Sequence, residues 1–380
     1  MEIISVYYYI SAILLLSLSS IPLVIYLRYG REPKINYGGE YEVDFPTDDP
    51  PAIVNAMCGS GLSKKVGEPD INGFIATIMD LIDRNYLLIK DAPYESVDSA
   101  SDSLFLEINP DYDPDTLWGF ELEILNFLQE YEQDGIISMD LVSESLNYYD
   151  GADAFKYTYK NWENEVKQTL LDSGSLKESF LSKGDKYIKI FGLLGLITVI
   201  IVLFAALSIW AVVYIGYVFL LYTISLKTKN IRMMVYGIGG LMGLSTYLFS
   251  IISSSLLPVK ALFLSSIILG VISIVSLMLP QKIAGQWTKY GREYYTRWHS
   301  FKKYIQDYSL MKEYSPKSVN IWDRYLVYAT ALGIAEEVKK SVKFSIPYEQ
   351  LKGSNLYSFQ YYSDPISIMK NAVETALDPD

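Results

Sequence analysis

The residues that could carry out chemistry in this sequence are few and scattered. The chain has 380 residues with a single histidine, His299, and a single cysteine, Cys58. A zinc site normally needs several His or Cys ligands, so this distant pair does not predict one. Cys58 is better interpreted as a small buried hydrophobe. A lone histidine can act as a general base, but the loop Gly59-Ser60-Gly61 lacks the flanking residues of a G-x-S-x-G nucleophile motif.

Phosphate-binding and metal-binding patterns are missing as well. The sequence contains neither G-x-x-x-x-G-K-[ST] nor G-x-G-x-x-G after a strand. Asp80 and Asp83 lie with Arg84 on one predicted helical turn, where paired carboxylates could bind a cation. A solvated or locally salt-bridged face is the more common outcome of such a pattern. We therefore predict no catalytic, cofactor-binding or metal-binding residues and no cofactor, and we expect that the protein is not an enzyme.

The charge is unevenly distributed along the chain, which has a formal net charge of −12. Residues 28–187 are strongly acidic, whereas residues 281–380 are mildly basic. An acidic surface repels phosphate backbones and anionic lipid headgroups alike. Nucleic acid is therefore excluded as an expected partner of the acidic region.

The apolar residues are concentrated in charge-free runs long enough to cross a bilayer, which requires about 20 residues. Residues 3–27 predict a transmembrane anchor and not a cleavable signal peptide, because no basic n-region precedes them and no small-x-small cleavage site follows. Residues 190–226 are too long for one span and predict a hairpin that turns near Ser208–Trp210. Residues 233–280 predict a second hairpin, broken at Pro258, with Lys260 in a short external turn.

Basic flanks give the predicted spans an orientation, because positively charged flanks stay in the cytoplasm. Such residues follow the first run, bracket the second and follow the last: Arg28, Lys189, Lys227 and Lys282. They predict five spans in a multi-pass protein of the cell membrane, with the N-terminus outside and both residues 28–187 and 281–380 in the cytoplasm. A single span in 190–226 would place the tail outside. No predicted span contains an ionisable residue, which argues against a coupled transporter or a charged-ring channel.

The acidic region has the predicted order helix, helix, strand, long loop, strand. The elements are helices at Pro50–Met57 and from Asp70 or Asn72 to about Asn85, and strands at 86–89 and 104–108. This order is that of a winged-helix module with residues 91–103 as the wing. Because wings that contact DNA are basic and this one is acidic, a structural or protein-binding wing is favoured.

Further helices complete the predicted cytoplasmic part. They are expected at about 117–131, capped by Asp113-Pro114-Asp115, at 139–147, at 152–171 and, in the tail, at 321–342. Aromatic residues interleaved with basic ones precede the last of these: Trp287, Tyr290, Tyr294, Tyr295 and Trp298. They predict either an interfacial helix that rests against headgroups or a helix that packs on the acidic region. We predict that the tail helices and the acidic region form one composite domain.

Several of these residues resemble a known family. They are Pro50–Asn55, the segment Gly73–Leu87 (GFIATIMDLIDRNYL), Phe120-Glu121, and Ile321–Gly333 (IWDRYLVYATALG). Together they resemble the predicted membrane proteins of domain-of-unknown-function family 2207, over roughly residues 29–340. The resemblance implies an architecture, with a helical and winged-helix-like cytoplasmic region around membrane hairpins. It implies no reaction and no catalytic residues.

Two classes of function remain open. The first is a membrane-anchored adaptor or scaffold whose winged-helix-like region binds a protein partner; the alternative is an accessory subunit of a membrane enzyme or transport complex. A membrane-tethered transcription regulator is disfavoured by the acidic charge. The expected partners are the lipid bilayer and either another protein or a second copy of the chain. Gly239 and Gly243, at G-x-x-x-G spacing, permit close helix contact within the bundle or between protomers.

Overall fold

The computed structural model is mainly helical and divides into two compact units. It describes residues 2–61, 64–90, 104–146, 148–206, 216, 257–307, 319–345 and 354–356. Unit 1 comprises residues 1–31 and 182–286, and unit 2 comprises residues 32–181 and 287–380. The predicted mainly α class is therefore confirmed at this coarse level.

Unit 1 is built from apolar helices. They are α1 (Glu2–Ser19), α2 (Ile21–Tyr29), α9 (Lys183–Ala206), α10 (Leu257–Met278) and the short α11 (Gln281–Ala284). Among the described residues, two stretches are long and apolar enough to cross a membrane by length and composition, Ser5–Tyr29 and Leu257–Met278. α10 packs against α1 and α9. The contact with α9 is close, because a Cβ added at Gly195 would lie 2.1 Å from the Ser273 hydroxyl.

The predicted hairpins are only partly covered by the described residues. The turn predicted near Ser208–Trp210 and the Gly239/Gly243 pair lie outside them. α10 begins at Leu257, so Lys260 lies in the first turn of a helix and not in the external turn that we predicted. The physical reason is Pro258: proline is favoured in the first helical turn, where its missing N–H breaks no hydrogen bond.

Unit 2 contains an antiparallel sheet with the strand order β1-β2-β4-β3. Its strands are β1 (Leu87–Lys90), β2 (Phe105–Ile108), β3 (Glu132–Gln133) and β4 (Ile136–Ser138). The first two confirm the predicted strands, and the predicted wing between them lies outside the described residues. The β3–β4 hairpin was not predicted. It turns at Asp134-Gly135, both with positive φ (50° and 81°), as a type I′ turn requires.

Nine helices of unit 2 are described, and they come from both halves of the sequence. They are α3 (Pro51–Cys58), α4 (Ile71–Asp83), α5 (Gly119–Gln129), α6 (Met139–Leu146), α7 (Tyr149–Asp172), α8 (Ser175–Ser179), α12 (Lys289–Gln306), α13 (Val319–Ala331) and α14 (Ala335–Ser345). Helix α13 packs on α3 and α4, and α5 packs on α7. Large side chains of both halves, including Trp162, Trp298 and Trp322, are completely buried in the shared core.

Helix boundaries follow local capping. Asp70 begins α4 as predicted, because its carboxylate accepts a hydrogen bond from the Asn72 amide at 2.9 Å. Asp113 does not cap the following long helix: it accepts from Asp115 (3.0 Å) and begins a short 3-10 turn, Pro114–Thr116. Helix α5 begins only at Gly119.

The tail helix predicted over residues 321–342 is wrong as a single element. It divides into α13 and α14 at Gly333, whose φ is +72°. The Gly333 amide donates to the Thr330 carbonyl (3.0 Å) and the Ile334 amide to the Ala329 carbonyl (2.8 Å). This pair of bonds is the Schellman motif that ends a helix, and it needs the left-handed conformation that glycine adopts without strain.

Candidate protein-binding groove

A groove of about 410 Å3 opens on unit 2 beside α3, the start of α5 and the end of α7. We call it the Trp118 groove. It is lined by Asp49, Pro50, Ile53, Trp118, Thr169, Leu170, Asp172, Ser173 and Ser175. The Trp118 side chain remains 49% exposed, and Asp49 and Asp172 supply carboxylates. The groove therefore combines an aromatic face, aliphatic walls and negative charge.

Two residues of α5, Glu121 and Phe120, contact Trp118. The Trp118 amide donates to the Glu121 carboxylate at 3.0 Å, which satisfies one of the unpaired N–H groups at a helix start. The indole lies parallel to the ring of Phe120, with centroids 6.2 Å apart, and Phe120 is completely buried. The position of the indole thus depends on Glu121 and on the core beneath it.

Glu121 is one end of a network of ion pairs in which the carboxylates are buried and the guanidinium groups are partly exposed. Its carboxylate accepts from the Arg84 guanidinium, and Arg84 Nε lies 2.8 Å from Asp80 Oδ2. The other oxygen of Asp80 lies 2.6 Å from the Arg324 guanidinium, which also lies 3.4 Å from Asp83. Burial raises the pKa of Glu121 and of Asp83, and the neighbouring guanidinium groups oppose that rise.

The same network also reaches Asp49, another residue that lines the groove. The Arg324 guanidinium donates to the Tyr328 hydroxyl at 3.1 Å, and that hydroxyl donates to the backbone carbonyl of Asp49 at 2.8 Å. The Asp49 carboxylate in turn accepts from Thr47 at 2.8 Å. One chain of polar contacts therefore runs from Trp118 to Asp49 through α4, α5 and α13, and it connects two residues that line the groove.

A second polar cluster joins α3 to the end of α13. The buried Asn55 amide donates to Asp70 and to the Ala331 carbonyl, both at 2.8 Å. Lys64 lies 2.6 Å from the Asp70 carboxylate. The Ser60 hydroxyl donates to the Leu332 carbonyl at 2.6 Å. The loop Gly59-Ser60-Gly61 is thus hydrogen-bonded to the C-terminal end of α13, which indicates a structural role for this loop.

Asp323, one residue before Arg324, connects α13 to a later part of the tail. Its carboxylate accepts from the Ser354 hydroxyl at 2.5 Å and from the Asn355 amide at 3.2 Å. Burial raises the pKa of Asp323 to about 7, and the nearby Asp83 adds to the rise. This carboxyl group therefore titrates near neutral pH.

The sequence candidates are placed as follows. Asp80, Asp83 and Arg84 do form a salt-bridged cluster, but Asp80 is buried and its pairing extends to Arg324. His299 stacks on Tyr295 with ring centroids 5.9 Å apart, and burial lowers the pKa of His299. Within the described parts of the chain, no three or more His, Cys, Asp or Glu side chains form a group that could hold a metal. The absence of a bound metal or cofactor stays a prediction.

The aromatic residues of the tail mostly face the protein. Trp287, Tyr294 and Trp298 are buried in the unit 2 core, and Tyr290 is 59% exposed. The basic neighbours pair with the acidic region: Arg292 lies 2.5 Å from Glu32, and Arg297 pairs with Glu42. The structure therefore shows contacts of helix α12 with the acidic region.

Sequence reasoning missed the residues that shape the groove. For Glu121 a signal existed, because an acid at the third position of a helix is typical of an N-terminal capping box. No such local signal marks Arg324 or Trp118 as groove residues. An arginine within a helix and a tryptophan just before a helix are both common. Only their tertiary positions single them out.

The comparisons with known proteins agree with the apolar helices of unit 1. Residues 38–342 match the model of the C-terminal domain of DUF2207, which is described as a predicted membrane protein. No curated protein and no solved structure matches the chain. The family match covers well over half of the 380 residues and includes both halves of unit 2. The chain belongs to the DUF2207 family of predicted membrane proteins.

Proposed function

We propose that this protein is a membrane-anchored adaptor whose unit 2 binds a protein partner in the Trp118 groove. The observation that carries the proposal is the groove itself: a half-exposed indole and two carboxylate residues line it together, and one polar network contacts both Trp118 and Asp49. A tryptophan kept accessible by a dedicated polar scaffold is the type of residue that dominates binding energy at protein interfaces.

The chemistry of the groove favours a partner segment that carries a basic side chain next to an apolar one. An Arg or Lys over the indole face gains a cation–π interaction of about 0.5 to 2 kcal/mol. Asp49 and Asp172 line the same groove, and the surrounding region is strongly acidic. This charge attracts a basic partner over distance and repels nucleic acid and anionic lipid.

We place unit 2 in the cytoplasm, with five spans and the N-terminus outside. The basic flanks support this orientation. Unit 2 adds an independent argument, because residues 32–181 and 287–380 belong to one compact unit and must lie on the same side of the membrane. The segment 182–286 between them therefore crosses an even number of times. Two hairpins, at 190–226 and 233–280, meet that requirement.

The first elements of unit 2 support a winged-helix-like arrangement as the frame of the binding domain. Helices α3 and α4 precede the antiparallel pair β1–β2, in the order of that module. The connection between the strands contains Asp91, Glu95, Asp98 and Asp102. An acidic wing is suited to a protein surface and unsuited to DNA.

The second candidate function is an accessory subunit of a membrane enzyme or transport complex. It is favoured by an apolar groove of about 450 Å3 in unit 1, bounded by residues of α2 and α9 such as Ile25 and Phe191. In that case a partner would be recognised through the membrane helices, and the Trp118 groove would be dispensable.

A comparison of two exposed aromatic residues tests the proposal. Trp118→Ala removes the indole without touching the backbone amide that Glu121 accepts from, and Tyr157→Ala is the control because Tyr157 is 71% exposed and lies outside the groove. After affinity capture from native membranes, we expect Trp118→Ala to reduce a specific co-purifying protein at least about tenfold, the loss typical of an interface hot spot. Tyr157→Ala should retain it.

Equal recovery of the same proteins with both variants would contradict the adaptor proposal at this groove. If a co-purifying protein is instead lost on replacing Ile25 or Phe191 by Ala, the accessory-subunit alternative is supported.

A further inference from the structure

The apolar groove of unit 1 lies between α2 and α9, and we call it the Tyr29 groove. Its volume of about 450 Å3 is that of a small-molecule site. It extends from Tyr29 and Tyr187 at one end to Leu18 and Thr198 at the other. The Thr198 hydroxyl donates to the Leu194 carbonyl at 2.9 Å, so its hydrogen is already used within α9. The interior of the groove is therefore suited to a hydrocarbon chain.

The length of the groove matches one leaflet of a bilayer. Along α9 its lining runs from Tyr187 to Thr198, a rise of about 16 Å at 1.5 Å per residue. The hydrocarbon core of a bilayer is about 30 Å thick, so one leaflet accounts for about half of that. An acyl chain that enters the groove from its tyrosine end would lie within a single leaflet.

A pair of tyrosines marks the end at which such a chain would enter. The rings of Tyr29 and Tyr187 have centroids 5.3 Å apart. Their helices approach closely here, because a Cβ added at Gly184 would lie 3.1 Å from the Tyr29 Cβ. Tyrosine is enriched at the depth of the lipid headgroups, where its ring has an apolar body and a polar tip. This end of the groove therefore corresponds to the membrane interface.

Basic side chains surround the tyrosine end. The Arg28 guanidinium lies over the Tyr29 ring, 5.4 Å from its centroid. Lys183 and Lys186 lie one helical turn before residues of α9 that line the groove, on the same face of the helix. All three basic side chains are exposed, and within the described part of the chain none of them forms an ion pair. Three positive charges are thus available beside the entrance to an apolar groove.

We propose that the Tyr29 groove binds an acyl chain of an anionic phospholipid whose headgroup lies at Arg28, Lys183 and Lys186. Basic clusters at the ends of membrane helices bind anionic headgroups, whereas a neutral lipid or an apolar helix gains nothing from these charges. The proposal rests on the finding that the chain belongs to a family of predicted membrane proteins, and it is independent of the Trp118 groove. It assigns to a lipid the groove on which the second candidate function depends.

Native mass spectrometry of the full-length protein, released from lipid nanodiscs, tests the proposal. The nanodiscs contain equal amounts of phosphatidylcholine and phosphatidylglycerol with identical acyl chains. We expect the wild type to retain phosphatidylglycerol at least about fivefold more than phosphatidylcholine, because each basic residue beside an anionic headgroup contributes about that much.

A matched pair of variants tests whether the retained lipid lies in the groove. Leu194 and Leu193 are neighbours on α9 and are equally exposed, at 56% and 57%, but of the two only Leu194 lines the groove. Leu194→Trp places an indole in the groove and should reduce retained phosphatidylglycerol at least about fivefold. Leu193→Trp should retain as much as the wild type.

A third variant tests the headgroup site separately. Arg28→Gln/Lys183→Gln/Lys186→Gln leaves the groove unchanged, so we expect it to retain lipid but to lose the preference for phosphatidylglycerol. Arg31 and Lys189 remain in this variant and preserve basic flanks that set the orientation. This comparison and the preference of the wild type do not depend on whether Leu194→Trp folds.

Two results would overturn the proposal. A wild type that retains no lipid would show that another part of the chain, a second copy or a protein partner fills the groove. Equal retention of the two lipids by the wild type, or equal retention of phosphatidylglycerol by Leu194→Trp and Leu193→Trp, would show that the lipid surrounds the helices without a site in the groove.

Discussion

Unit 1 and unit 2 place their large apolar side chains in opposite ways. In the described part of unit 1, side chains such as Ile13 and Leu264 lie on the outside, and Met278 is 78% exposed. A buried cluster there contains Leu15, Phe191, Leu262 and Leu269. In unit 2 many of the largest side chains, such as Trp162, Trp298 and Trp322, are completely buried. An apolar exterior is unfavourable in water and costs nothing in lipid, so the difference indicates that the two units are suited to different solvents.

The polar groups of the two units differ in the same way. In α10, Ser266 and Ser276 donate to backbone carbonyls of their own helix, at 2.8 and 2.7 Å. In unit 2, Asp80 and Asn55 bond to residues far along the chain. A helix in lipid must satisfy its polar groups locally, whereas a folded domain in water can use them to join distant elements. The stability of unit 2 should therefore depend on a few buried polar residues.

The largest effect is expected where a buried ion pair is broken. Arg324→Met removes the cation that Asp80 and Asp83 share; Asp80 keeps Arg84, but Asp83 loses its ion-pair partner. We expect unit 2 to lose about 3 kcal/mol of unfolding free energy, because a largely buried carboxylate is left uncompensated. Arg292→Met is the matched control. The two guanidinium side chains are equally exposed, at 33% and 34%, but their partners differ, at 5% for Asp80 and 35% for Glu32. The control should lose less than about 1 kcal/mol.

Thermal unfolding in detergent measures both variants. Equal shifts of Tm would mean that the network around Asp80 contributes no more than a surface pair, and the stability of unit 2 would not depend on its buried polar residues.

The next effect is a pH dependence that arises from Asp323. In the folded protein this carboxyl group holds its proton up to a pKa of about 7, whereas in the unfolded chain it releases it near pH 4. The unfolded state therefore binds fewer protons between these values, and stability falls as the pH rises from 4 to 7. We expect Asp323→Asn to remove on the order of 2 to 4 kcal/mol of this dependence. The variant also removes the repulsion between Asp83 and Asp323, so the difference includes the response of Asp83, whereas the titration of Glu121 cancels.

Unfolding of wild type and Asp323→Asn at pH 5 and pH 8 provides the measurement. Parallel pH profiles would contradict the assignment to Asp323, whatever the absolute stability of the variant.

The smallest effect concerns the backbone at the break between α13 and α14. Gly333→Ala forces a side chain into a left-handed conformation (φ +72°) and should cost about 1 to 2 kcal/mol. Gly38→Ala is the control, because its Cβ would meet open space, and it should change stability by less than about 0.5 kcal/mol. A Tm for Gly333→Ala equal to that of the control would show that this segment tolerates other backbone conformations.

Much of the fold follows from local rules that the sequence carries. The cap at Asp70, helix α4 and strands β1 and β2 were predictable because hydrophobic spacing and a capping residue agree there. Two missed features also have local signals: Gly333 is a typical helix end and Asp134-Gly135 a typical hairpin turn. Apolar residues recur at helical spacing on both sides of Gly333. We therefore predicted one continuous helix despite the glycine.

The groove was much harder to predict, because its parts are distant in sequence. A salt bridge between Asp80 and Arg84 follows from their i,i+4 spacing. Arg324 lies 244 residues after Asp80, and no local pattern indicates that the two meet. Burial of Asp80 could not be foreseen either, because an acidic residue on a helix normally faces solvent.

Site-specific labelling tests the central claim most directly, namely that unit 1 lies in the membrane and both halves of unit 2 lie in the cytoplasm. In a Cys58→Ala background, single cysteines replace Glu2, Tyr157 and Tyr290, and the two tyrosines are 71% and 59% exposed. A membrane-impermeant maleimide should label only Glu2→Cys in intact cells, and all three after permeabilisation. Labelling of Tyr157→Cys or Tyr290→Cys from outside would contradict the account.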